Sequence, residues 1–431
     1  MDFIQAKKRV DSLNKFGSVL GLENIRELLR RLGNPQEKLK VIHVAGTNGK
    51  GSVIAYLSSV LTEAGYKVGK YTSPVVFEYL EKYQINNQNI SEEDFTDIST
   101  KVMDAGESME KEGCGQPTVF EVETAMAFEL FLQKGCDIAL IETGMGGDTD
   151  ATNVCSSVIA SVLVSISYDH MQFLGNTLKE IAGHKAGIIK KGCPVIVSRQ
   201  SEEVLETVKN HAGELDAPVI IAGSGETERP FSYTAYDGTV YGGIEPGLKG
   251  IWQIKNACTA IETIEVMRNA GYNISVEAVR KGIKNTVWHG RFEKICSEPC
   301  IITDGAHNPD AAKMLRETID RDYPDTQFVY IMGVLGDKDF SKVIEYMVDR
   351  AVKIYTVTPD NTRALSADKL AEAVSRINAN VEAVSAVEEA LDKAVEEYDK
   401  IRGKKAILAF GSLSYLGTLT DSVNKKYRNR G

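Results

Sequence analysis

The sequence predicts an α/β protein in which a P-loop-containing, mostly parallel sheet domain is followed by a smaller, doubly wound, Rossmann-like domain. Three observations carry this. Apolar strand-like runs alternate with segments of helical periodicity along most of the chain. The glycine-rich turn GTNGKGS, Gly46 to Ser52, joins one of those strands to a helix. At 431 residues the chain exceeds one ordinary core, at about 100 to 200 residues per domain, so two or three domains are expected.

In chain order, strands are expected at 41–44, 67–72, 137–141, 157–166 and 194–198, with helices at 52–64, 118–134 and 178–189. Helices at 256–270 and 275–284 close this region. A second alternation follows: strand 300–303, helix 309–320, strand 327–332, helix 340–349, strand 352–357, helices 366–378 and 386–399, and strand 405–410. The helical pattern stops near Trp288-His289-Gly290-Arg291, which sets domains of 1–288 and 289–431. The polar, Asn-rich segment 78–91 is expected as a mobile loop over the site or an ordinary surface excursion. No internal repeat or low-complexity tract interrupts this plan.

Composition excludes several functions. With 50 basic and 60 acidic residues the net charge is −10, which argues against bulk binding to nucleic acid or an anionic membrane. Seven cysteines lack any paired zinc spacing and read as reduced thiols. No apolar run approaches the roughly 20 residues of a membrane span, and MDFIQAKKRVDSL lacks a signal-type apolar core. A cytoplasmic monomer is expected.

The chemistry concentrates at strand ends, where open α/β sheets bind ligands. In GTNGKGS the glycines allow close main-chain approach to an anion and the helix N-terminus adds partial positive charge. Lys50 reaches a terminal phosphate oxygen, and Ser52 is a Mg²⁺ ligand candidate. Thr47, Asn48, Gly49, Lys50, Gly51 and Ser52 are therefore assigned to a nucleotide. The bland alternative is a glycine-rich turn with no ligand. The pattern also departs from GxxxxGK[ST]: Val44 stands where the first glycine belongs, and Gly51 separates lysine from hydroxyl. The apolar run Ile138 to Ile141 ends in Glu142, a carboxylate suited to a nucleotide-bound metal. The strand SVIASVLVSIS leads to Asp169-His170, and the strand near Val68 leads to Thr72-Ser73-Pro74. Taken alone, Glu142 can be a turn cap and His170 a core histidine. Lys185 lies in TLKEIAGHKAGIIK, whose Thr177 and Glu180 form a capping-box pattern; the default for such a lysine is a solvated helix face.

The bracket HVAGTNGKGS resembles the folylpolyglutamate synthase and dihydrofolate synthase branch of the Mur ligase superfamily. Further segments extend the resemblance over nearly the whole chain. Gln253 and Asn256 fit the family's HQxxN, with Trp252 in place of histidine, and imply an approach of Asn256 to adenine. WHGRFE resembles the linker WPGRxE and implies that Arg291 reaches nucleotide phosphates. Asp304 to Pro309 matches DGAHNP, implying Asp304 for the nucleotide and His307 for the incoming amino acid. GxLxDKD recurs at Gly333 to Asp339, and Gly411-Ser412-Leu413-Ser414 resembles an amino-acid-binding turn.

The resemblance implies an ATP-dependent carboxylate–amine ligase that adds L-glutamate to a folate or dihydropteroate through an acyl phosphate. It implies Mg²⁺ held by Ser52, Ser73, Glu142 and His170, and a second Mg²⁺ on a carbamylated Lys185, although His184 replaces the glutamate of the family's EKAGI. The acceptor-side segment departs most: TSPVVFEYLEKYQINNQ has Val75, Lys82 and Asn87 where the family pattern TSPHLxxxxERxxxNG has histidine, arginine and glycine. PTVFEVETAMAF still matches the segment that accompanies the pterin site. Two rival readings follow. One is a Mur-like ligase acting on a non-folate carboxylate. The other is a nucleotide-dependent switch, against which stands the absence of a base-reading NKxD.

Overall fold

Five consecutive residues, Val41–Ala45, four of them apolar and the fifth His43, form a fully buried strand within an eight-stranded sheet. In the computed structural model, which describes residues 1–13, 21–223 and 228–427, the strands of this sheet are β1 Val41–Ala45, β2 Val68–Tyr71, β3 Tyr83–Ile85, β4 Gln88–Asn89, β5 Ile138–Glu142, β6 Val158–Leu163, β7 Val195–Ser198 and β8 Val219–Ala222. Their spatial order is β4-β3-β2-β5-β1-β6-β7-β8. From β2 to β8 every neighbouring pair is parallel. The central strands are buried along their length and mostly apolar, as expected of a parallel sheet with both faces covered. A two-stranded antiparallel ribbon, β9 Phe231–Thr234 and β10 Val240–Ile244, stands apart from the sheet.

The segment 78–91 corrects the loop expectation. Residues Tyr79–Lys82 form a short 3₁₀ helix, and β3 and β4 pair antiparallel at the edge of the sheet. Asn86 and Asn87 both adopt positive φ, 51° and 63°, and supply the two-residue turn between Ile85 and Gln88. Asparagine tolerates this left-handed conformation, and the matching twist favours a hairpin over an open loop.

Helix boundaries follow local capping chemistry. Thr118 and Thr177 each form a capping box, with Glu121 and Glu180 respectively, and start the helices Val119–Gln133 and Leu178–Ala186. Six further α-helices among the described residues, Phe3–Asp11, Glu23–Arg31, Glu92–Lys111, Met171–Leu174, Glu202–Glu214 and Leu416–Tyr427, lie outside the sequence expectation. Among the described residues no helix is long and apolar enough to cross a membrane, and all seven cysteines are unpaired.

The chain divides into two compact units. The first comprises Met1–Pro74, Leu80–Gly247 and Gln253–Thr286; the second comprises Val75–Tyr79, Leu248–Trp252 and the chain from Val287. The second unit has its own six-stranded sheet: β11 Glu293–Ser297, β12 Cys300–Thr303, β13 Gln327–Met332, β14 Ala351–Thr356, β15 Val381–Ala383 and β16 Lys405–Phe410, ordered β11-β12-β16-β13-β14-β15. Only β11 runs antiparallel. Helices cover both faces, with separate apolar clusters around Phe328, Tyr330 and Phe410 and around Val329, Ile331 and Leu416. This is the doubly wound arrangement that the second alternation predicts.

Candidate active site

In the first unit the phosphate loop leaves β1 at Gly46 and enters the helix Lys50–Glu63. Gly46 and Gly49 have φ of 151° and 100°, and a Cβ at Gly49 would sit 2.6 Å from Asn256 Oδ1. Glycine there removes both a backbone penalty and a clash, so the turn folds tightly over the sheet edge. Because the helix begins at Lys50, earlier than the sequence reading places it, Ser52 lies in its first turn, where N–H groups have no intrahelical partner.

Two lysines converge on one carbonyl. Lys185 Nζ donates to Gly46 O at 2.8 Å, and Lys50 Nζ donates to the same oxygen at 3.3 Å. Lys185 is only 3% exposed, so the expectation of a solvated helix face does not hold for it. Lys50 also forms an ion pair with Glu142 Oε1 at 3.7 Å, and Ser73 N lies 3.4 Å from Glu142 Oε2. The strand ends of β1, β2 and β5 thus bring Gly46, Ser73 and Glu142 together with both ammonium groups.

Thr47 and Asn48 brace the loop. Thr47 Oγ1 donates to Ser167 O and accepts from Ser167 N, both at 3.1 Å, while Asn48 Nδ2 donates to Ser167 Oγ at 3.4 Å. Their side chains fasten the phosphate loop to the segment after β6, a role that the sequence reading did not include. His170 lies three residues beyond Ser167, at φ 50°, with Nε2 3.8 Å from Asp169 Oδ2. His184, next to Lys185, pairs with Asp148 at 2.9 Å.

Gln253, which the sequence reading left unassigned, donates to Ser52 Oγ at 3.2 Å and accepts from Asn256 Nδ2 at 3.0 Å. Both side chains are buried. Their three-residue spacing on one helical face was the available signal.

In the second unit, Asp304 follows β12 and is buried. Its Oδ2 accepts from Phe292 N and its Oδ1 from Ala306 N, each at 2.8 Å. Burial raises its pKa to about 6 against the opposing pull of Arg291. Asp304 therefore stitches the 290–292 segment to the 304–308 turn. His307 Nδ1 is 2.8 Å from Gly305 O. A carbonyl only accepts, so Nδ1 carries the proton of this hydrogen bond. Asn308 caps the helix Pro309–Asp322. Ser412 follows β16, with its hydroxyl 2.8 Å from that of Ser414.

Among the described residues no group of three or more His, Cys, Asp or Glu comes together as a metal site. The donors near the phosphate loop are hydroxyls and one carboxylate. This set fits Mg²⁺, which keeps several waters and binds through one or two carboxylates plus substrate phosphates.

Residues 44–264 match the Mur ligase middle domain and residues 290–413 the Mur ligase glutamate ligase domain. A dihydrofolate synthase/folylpolyglutamate synthase of Bacillus subtilis is 35% identical over 370 residues, covering 83% of this chain and 86% of the relative. The chain belongs to the folylpolyglutamate synthase/dihydrofolate synthase family of Mur ligases. Two solved structures of the same family align along its whole length. The Mycobacterium tuberculosis folylpolyglutamate synthase complexed with ADP and AMPPCP has a TM-score of 0.89 at 28% identity and 98% coverage of both chains. Escherichia coli FolC in complex with DHPP and ADP has a TM-score of 0.86 at 28% identity, covering 99% of this chain and 98% of that one. As a member of the family, this protein is an ATP-dependent ligase that forms C–N bonds.

Proposed function

We propose that this ligase joins L-glutamate to a folate-type carboxylate, either a reduced folate, a dihydropteroate or both, through an acyl phosphate. The observation that carries the reading is the convergence of Lys50 and Lys185 on the Gly46 carbonyl beside Glu142. Lys50 supplies the positive charge of this phosphate cradle, in a chain whose relatives are folylpolyglutamate and dihydrofolate synthases.

An oxygen of the acceptor carboxylate attacks the γ-phosphorus of ATP, and ADP leaves. The glutamate amine then attacks the acyl carbon, and the tetrahedral adduct expels inorganic phosphate. Two anions meet in the first step, so the chain must supply positive charge where the phosphoryl group moves. Lys50, the first-turn N–H groups of the helix Lys50–Glu63 and Arg291 serve that purpose. Thr47 and Asn48 hold the loop in shape, and Gln253 with Asn256 fixes the Ser52 hydroxyl. Ser52, Ser73, Glu142 and His170 would hold one Mg²⁺ and Lys185, once carbamylated, a second, and these ions would supply electrophilic polarisation of the phosphates. In the second unit His307 Nε2 accepts a proton from the incoming amino group, and Ser412 binds the same amino acid. Asp304 acts by holding the turn that carries His307. The protein is assigned to the cytoplasm as a monomer.

The test is incubation with Mg-ATP, glutamate and each candidate pterin, following phosphate release and product mass. A gain of one glutamyl unit is expected on at least one pterin. No such gain on any of them sinks the acceptor assignment, and ligation of another carboxylate would favour the Mur-like alternative motivated by Val75 and Lys82.

A further inference from the structure

Lys70 takes no part in the mechanism above, yet it is a buried cation beside the site. It lies on β2 and is 2% exposed. In the parallel pairing of β2 with β5, Lys70 stands opposite Leu140. Alternation along a strand puts Glu142, two residues beyond Leu140, on the same sheet face as Lys70 and diagonally adjacent to it. The opposite face is identified independently: a Cβ at Gly69 would strike Phe131 of the helix Val119–Gln133, and the Tyr71 ring lies 6.3 Å from that of Phe120 on the same helix, in a tilted arrangement. Lys70 Nζ also donates to Asn87 Oδ1 at 3.4 Å in the turn between β3 and β4.

Burial lowers the Lys70 pKa to about 8, and Glu81 and Glu142 act against that shift. The ammonium is thus held in a low-dielectric setting by two carboxylates, one of which is the proposed metal-binding Glu142.

We infer that Lys70 sets the divalent-cation affinity of the nucleotide site by holding a fixed positive charge diagonally across the sheet from Glu142. The inference rests on the assignment of Mg²⁺ to Glu142. A divalent ion arriving at Glu142 meets repulsion from Lys70, and that repulsion is weakly screened because the pair is buried. Removing the ammonium also removes its attraction to Glu81, which changes the field in the same direction. A lysine here makes metal binding weaker when no nucleotide is present, so the metal arrives mainly with the phosphates that share its coordination.

The experiment is calorimetric titration of Mg²⁺ into the nucleotide-free and ADP-loaded protein. Lys70→Met should bind Mg²⁺ about tenfold more tightly than wild type in the nucleotide-free state, and its melting temperature should rise more on addition of Mg²⁺. Lys70→Arg should stay within about twofold of wild type because it keeps the charge. Lys70→Gln gives a second neutral variant should the methionine variant fail to fold. A loosely folded variant would lose metal affinity, so tighter binding is not a result that damage produces. Unchanged or weaker Mg²⁺ binding in the neutral variants overturns the inference. Glu142→Gln separates the two claims: it should weaken Mg²⁺ binding, and wild-type affinity in that variant overturns the metal assignment and the Lys70 inference with it.

Discussion

Lys185 donates to the carbonyl of Gly46 at 2.8 Å, so a residue on a helix 139 positions downstream pins the first glycine of the phosphate loop. The unmodified ammonium therefore already has a structural partner. Lys185→Ala should lower ATP-dependent turnover by about 100-fold or more, since one misplaced loop glycine disturbs every phosphate contact. Added short carboxylates should restore part of that activity if a carbamate is the functional form. Absence of rescue, with wild-type turnover in protein whose intact mass shows only the free amine, would exclude the carbamate.

Lys50 contacts both Gly46 O and Glu142. Lys50→Ala should retain its fold and lose turnover by about 10²- to 10³-fold, in the range seen when one stabilising donor to a developing charge is removed. Steady-state phosphate release with a parallel melting curve checks this; wild-type rates would remove Lys50 from the mechanism.

Gly49 combines positive φ with close approach to Asn256. Gly49→Ala should cost about 1 to 3 kcal/mol in stability from backbone strain alone. It should also weaken ADP binding, because Asn256, Gln253 and Ser52 form one hydrogen-bonded chain. Denaturant unfolding and nucleotide titration measure the two effects separately.

His43 is buried in β1, and its Nε2 lies 2.8 Å from Thr152 Oγ1. The Thr152 hydroxyl donates to Asp150, so His43 supplies the proton to Thr152 and its buried Nδ1 has no partner. Burial, with a smaller contribution from Lys190, lowers the His43 pKa to about 3. The folded pKa is depressed, so the stabilising effect is present above about pH 6.5 and is lost as pH falls towards 3. Between pH 7 and pH 5 His43 should account for a loss of about 2 kcal/mol. His43→Gln should flatten this part of the stability profile, and an unchanged profile would contradict the assignment.

Lys82 pairs with Glu123 at 2.5 Å, and the carboxylate is 3% exposed. Lys82→Met should destabilise the protein by about 3 to 5 kcal/mol because it removes a cationic partner from a buried carboxylate. The double variant with Glu123→Leu should recover much of that loss. A double variant no more stable than the single one would argue against a buried-charge penalty.

The sequence by itself determined the α/β class, the phosphate loop, the strand-end carboxylate Glu142 and the Asp304–Asn308 turn. Each is a local pattern, namely strand alternation, glycine spacing or a cap, and local patterns survive in one dimension. The helices Glu92–Lys111 and Glu202–Glu214 were within reach of the same periodicity, and their N-terminal serines at 91 and 201 were the signals to use. Other features depended on tertiary structure. Segment 78–91 reads as loop because its residues are polar, and only pairing with β2 makes it a hairpin. Lys185 and Lys70 are charged residues that sequence rules place in solvent. Packing buries them instead, one against a loop carbonyl and the other among carboxylates. Which distant side chains compensate a buried charge depends on strand order and register, and here β5 lies between β1 and β2 although it follows them in sequence by dozens of residues. That crossover brings Glu142 to both Lys50 and Lys70, a relationship that no spacing in the chain encodes.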